Sequence, residues 1–139
     1  MVVLVQAGIG MIVNLYEIIP AHHPGAHPSN YFTGSARSIA WAVSHGAAVL
    51  VIHATLGLAL AALAVTVAVR ALRIAHRAAS IWSILAAALV IGAGFNGASF
   101  LDFNNDVSSL VMALLALGSV ACYAIVLFVL PAAPSGPLS

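Results

Sequence analysis

Charge is almost missing from this chain. Its 139 residues hold four arginines, no lysine and three carboxylates, so that 5% of positions are charged. A soluble domain carries about 25%, and a water-facing globular surface cannot be built from so little. The 63% share of hydrophobic residues and a mean hydropathy of +1.15 make the chain an integral membrane protein. No basic tract exists, which excludes the electrostatic footprint of a nucleic-acid binder. A single cysteine, Cys122, excludes a disulfide framework within one chain and reads as a packing residue in an apolar run. The first 20 residues lack a positive n-region and carry Gln6, Asn14 and Glu17, so they read as a retained helix rather than a cleaved signal.

What is present is apolar length. Four runs, at about residues 2–19, 38–69, 78–99 and 108–130, predict an all-α integral membrane fold: a four-helix transmembrane bundle forming one domain over residues 1–130. The tail, residues 131–139, reads PAAPSGPLS and is expected to be mobile. The first run stops at Pro20, which cannot continue a helix. The second is too long for one crossing, about 48 Å of helix against roughly 30 Å of hydrocarbon. It must tilt, kink or protrude, with Gly46 as its weak point and Trp41 suited to the interface. Arg70, Arg73 and Arg77 flank the loop at 70–77, whereas Arg37 alone lies on the other side. The bias of basic residues toward cytoplasmic loops therefore predicts both termini inside, in a multi-pass plasma-membrane protein. The histidine loop and the 101–107 loop then face the extracytoplasmic side.

Polar groups inside a span are costly and tend to face the bundle interior. Gln6, Gly10, Asn14 and Glu17 fall on one face of the first helix, within about 80° of each other. Glu17 is the only carboxylate inside a predicted span; Arg37 and the loop histidines are its available partners, and proton handling or metal ligation is the sharper reading. Asn96 comes at a similar depth, so Asn14, Glu17, Asn96 and His45 are expected to form an inner polar cluster beneath the rim. Gly94 and Ala98 make a small-xxx-small pair that permits close helix approach within or between subunits.

His45 and His53 lie eight residues apart, about 12 Å along an unbroken helix, which separates them into different sites. Gly46 and Gly57 fall on the side of His53 and leave a recess around its imidazole. The stretch VIHATLGLALAALAVTVAVRALR, 23 of the 139 residues, resembles a helix of the bacterial four-helix b-type cytochromes. That resemblance implies haem b, with His53 as an axial ligand and Gly57 as clearance for the ring. The opposing ligand would be Met11, Met112, a loop histidine or nothing, because the other spans hold no histidine.

His22, His23 and His27 place three imidazoles within six residues of the first loop, and imidazole suits Cu, Zn, Ni and Fe. Asp102 stands in the second loop and can meet them across the bundle. LDFNNDV has oxygen ligands at alternate positions, but Val107 replaces the glycine of a calcium loop and no carboxylate closes it. Asp106 or Ser108 is expected instead to cap the last helix.

These residues favour a small membrane protein that binds haem or a transition metal toward its outer face, with electron transfer to or from a quinone or another redox partner. Two alternatives stand beside it: a metal-handling protein without redox role, using His22, His23, His27, Glu17 and Asp102, and an accessory subunit of a larger membrane complex or homo-oligomer. No nucleophile motif places Ser, His and Asp for hydrolysis, and nothing marks a transferase.

Overall fold

The structure, a computed structural model, describes residues 2–74 and 76–130. The tail at 131–139, expected to be mobile, lies outside the described residues. The described chain folds as five helices: α1 (Val2–Tyr16), α2 (Tyr31–His45), α3 (Ala48–Arg73), α4 (Arg77–Phe103) and α5 (Asp106–Val129). Three of them, α3, α4 and α5, are long and apolar enough to cross a membrane. Apolar side chains such as Leu63, Leu114 and Phe128 stand exposed along them, as suits helices whose surroundings are lipid.

The long second run is two helices rather than one. Gly46 is extended (φ −67°, ψ 163°) and ends α2. A Cβ at position 46 would lie 2.5 Å from Ala42 O and 3.0 Å from Leu50 Cδ2, so only glycine lets the chain turn this closely. The predicted single segment at 38–69 is thereby corrected: α3 runs from Ala48 to Arg73, and α2 takes residues 31–45. Its start lies inside the segment expected to be irregular, because Asn30 caps it by accepting from Thr33 N at 3.1 Å.

Boundaries elsewhere shift by cap chemistry. α1 ends at Tyr16, with one further bond from Glu17 N to Val13 O, and residues 17–20 leave the helix ahead of Pro20. Between α3 and α4 the connection shrinks to 74–76, with Arg70 and Arg73 in the last turn of α3, where the helix dipole favours cations. His76 caps α4 through Nδ1, which accepts from Ala79 N. α4 continues past residue 99 to Phe103 and stops where Asn104 adopts the left-handed conformation (φ 49°), one of the few residues that enter it readily. The expected cap of the last helix is corrected too: Asn105, not Asp106 or Ser108, accepts from Val107 N at 2.9 Å.

Helices α1, α3, α4 and α5 touch in a closed ring, each meeting the next, while α2 lies across α3 and α4 alone. Neighbours in the ring are antiparallel. Gln6 pairs with His53 and Gly57 while Val13 shares a cluster with Leu50, and Gly92 meets Leu115 while Gly97 meets Met112. Small residues set the spacing at the α3–α4 seam, where Ala64, Ala68 and Ala87 are buried together. A second cluster, Val13, Ala42, Leu50 and Leu101, draws α1, α2, α3 and α4 together at the opposite end.

Candidate functional site at the capped end

Asp102 sits on the last turn of α4, and two elements close over it. Extension of α4 to Phe103 moves this carboxylate from the expected rim loop to a helix face, where it is 1% exposed. From α2, Ser35 Oγ donates to Asp102 Oδ2 at 2.9 Å. The loop before α2 adds His27 N, which donates to the backbone oxygen of Asp102 at 3.0 Å, and His23 Nε2, 3.0 Å from Leu101 O. The ring of His23 stacks on Trp41 with centroids 4.5 Å apart. Lower on the same face of α4, the Tyr31 hydroxyl donates to Phe95 O at 3.0 Å and meets Ser99 Oγ at 2.8 Å.

Two glycines let these elements come so close. Gly25 holds φ +105°, and a Cβ there would collide with Gly34 O and with the backbone and hydroxyl of Ser38; one at Gly34 would run into the Pro28 ring. The loop therefore rests directly on the small face of α2 formed by Gly34, Ser35, Ser38 and Ala42.

The enclosure leaves two oxygens without partners: Asp102 Oδ1 and Ser38 Oγ, the latter 0% exposed and one turn along α2 from Ser35. Removing a carboxylate from water costs several kcal/mol, and an orphaned oxygen has nothing to offset it unless a cation or donor occupies the space beside it. The two unpartnered groups, a carboxylate and a hydroxyl, are both oxygens. Such a set suits a hard cation rather than copper or zinc.

The expected imidazole site does not assemble. His22 is exposed, His27 is exposed with its ring edge-on to Phe103 at 6.2 Å, and His23 faces backbone oxygens: Nε2 toward Leu101 and Nδ1, at 3.2 Å, toward Pro24. Among the described residues no three His, Cys, Asp or Glu side chains come together. Glu17 is half-buried just beyond α1, and no ion pair joins it to Arg37 among the described residues. The inner polar cluster is likewise dispersed. Asn14 and His45 are exposed, His45 beside Ser44 Oγ at 2.7 Å, and Asn96 donates to Gly92 O of its own helix. Gly94 has open space where a Cβ would go, and Gly92, Gly97 and Gly118 serve the α4–α5 contact instead.

His53 faces α1. A Cβ at Gly10 would lie 2.7 Å from His53 Cε1, so the imidazole fills the notch that this glycine provides. Gly57 clears the way for Gln6, whose Nε2 donates to His53 O at 2.9 Å and would stand 3.1 Å from a Cβ at position 57. The recess expected for haem is thus taken by α1. Met11 points away at 63% exposure and Met112 packs on Gly97, so neither opposes His53. The residues present do not fit a macrocycle. His53 Nδ1 and Gln6 Oε1 are buried without partners at this same seam, a setting that suits a bound water.

Sequence reasoning picked out Asp102 but missed Ser35, Ser38, Gly25 and Gly34, which enclose it. Their signal was present: Ser35, Ser38 and Ala42 recur at i, i+3 and i+7 and mark one close-packed helix face. Comparison of the chain with protein-family models, curated proteins and solved structures finds no match.

Proposed function

We propose that the chain is a four-span plasma-membrane protein, with both termini cytoplasmic, that binds a small monovalent metal cation at Asp102 beneath its outward cap. The arginines at the α3–α4 connection support this orientation. As the fourth span, α1 is 15 residues, about 22 Å of helix, short enough to require local thinning of the bilayer.

One observation carries the reading: a fully buried carboxylate oxygen, Asp102 Oδ1, lacks a partner, while Ser38 Oγ is an equally buried orphan on the α2 face that also presents Ser35. A single negative charge with neutral oxygens matches a monovalent ion; a divalent site collects more carboxylates. The cap supplies enclosure. His23 and His27 are assigned to holding it on α4 rather than to coordination.

The experiment compares thermal unfolding of the full chain in neutral detergent with sodium chloride and with choline chloride at equal ionic strength. Sodium at ten times its Kd is expected to stabilise the protein by about 1.4 kcal/mol, and Asp102→Asn to remove the difference between the salts. Identical unfolding of the unaltered protein in both salts contradicts the reading.

A further inference from the structure

The outer face of α2 carries a groove that the Asp102 site does not use. One wall is the helix and the other is the loop before it. A depression of about 500 Å³ lies between Pro24 and Arg37, Ala40, Trp41, Ser44 and His45. A second, of about 300 Å³, is lined by Ser29, Asn30 and Thr33 together with the glycines of the loop contact. Arg37 borders both. On the helix side, positions 30, 33, 37, 40 and 44 recur every three or four residues, so the two depressions form one track along one face.

We propose that this groove binds a phospholipid with an anionic headgroup, Arg37 taking the phosphate. Chemistry changes along the track in the order an amphiphile needs. Ser29, Asn30 and Thr33 offer polar contacts on one side of Arg37, and Ala40, Trp41 and Pro24 offer an apolar wall on the other. The guanidinium is exposed and has no carboxylate within ion-pair distance among the described residues, which leaves its fork of donors free for phosphate oxygens. His45 ends the apolar half, while Asp102 is shielded beneath Ser35, so the groove meets an anion with basic groups at its surface. Each depression taken alone is larger than a free phosphate needs. The inference does not rest on the cation reading: the hydrogen bonds to Asp102 come from Ser35 and His27, and neither lines the groove.

The test uses the full chain in neutral detergent with short-chain phosphatidylglycerol, short-chain phosphatidylcholine or inorganic phosphate, read by native mass spectrometry and thermal unfolding. Phosphatidylglycerol is expected to remain bound to the protein and to stabilise it. Arg37→Gln should weaken that binding about five-fold, the worth of one basic group at a membrane surface, while leaving unfolding in phosphatidylcholine unchanged. Equal binding of the two lipids, equal binding by Arg37→Gln, or full competition by inorganic phosphate each overturns the proposal. If Arg37→Gln lowers stability in every lipid, the role is structural and the proposal fails.

Discussion

The two ends of α4 solve close packing in opposite ways. Near Arg77 it meets α3 through alanines, with one bond from Ser80 Oγ to Ala71 O at 3.0 Å. Near Phe103 it meets α2 and the loop through Ser35, Tyr31 and backbone groups, and a carboxylate disappears from solvent. Small residues permit the approach at both ends, so they do not distinguish a site from a seam. The charge does. Ser83, near the alanine end, also buries an unpartnered hydroxyl, but a neutral group left unsatisfied costs about 1–3 kcal/mol, whereas a buried charge costs several. Of the two ends, only the capped one leaves a carboxylate oxygen buried without a partner.

Substitutions at each end sharpen that contrast, with Trp41 and Trp82 as reporters of the capped and alanine ends in single-tryptophan variants. The largest effect is expected from Gly25→Ala, which combines a strained φ with a collision against α2. It should lower stability by roughly 3 kcal/mol and shift Trp41 emission to longer wavelength while Trp82 emission holds. Ser35→Ala removes the donor to Asp102 Oδ2 and should lower stability by about 2 kcal/mol in choline, with the ion's own stabilising effect altered as well. Overpacking the alanine seam with Ala68→Leu is expected to lower stability by roughly 1.5 kcal/mol, equally in sodium and in choline. The smallest change belongs to Ser80→Ala, about 0.6 kcal/mol, typical of a hydrogen bond between membrane helices. A sodium effect that changed equally at both ends would erase the distinction.

The long spans were legible in the sequence and the capped end only partly so. Long apolar runs placed α4 and α5 within a few residues, because continuous hydrophobicity over a bilayer's width has few other readings. The run at 38–69 was read as one segment with Gly46 as its weak point; Gly46 does end α2, but the contacts with Ala42 O and Leu50 that turn a weak point into a full break are not recorded in composition. Asp102 passed for a loop residue because the stop lies at Asn104, whose left-handed conformation is visible only in the backbone. Gly57 illustrates a different failure. Its position beside His53 was correct, but the space it opens receives the amide of Gln6, and no spacing rule identifies which group enters a notch. Asn30 with Thr33 was a readable helix start, overlooked among the turn-forming residues around it.

Equilibrium binding of radioactive sodium to the purified full chain in neutral detergent tests the central claim most directly. The unaltered protein should show a single saturable site, undiminished by Ala68→Leu and abolished by Asp102→Asn. Absence of saturable binding, or a site that survives Asp102→Asn, would contradict the assignment of Asp102 as the cation ligand.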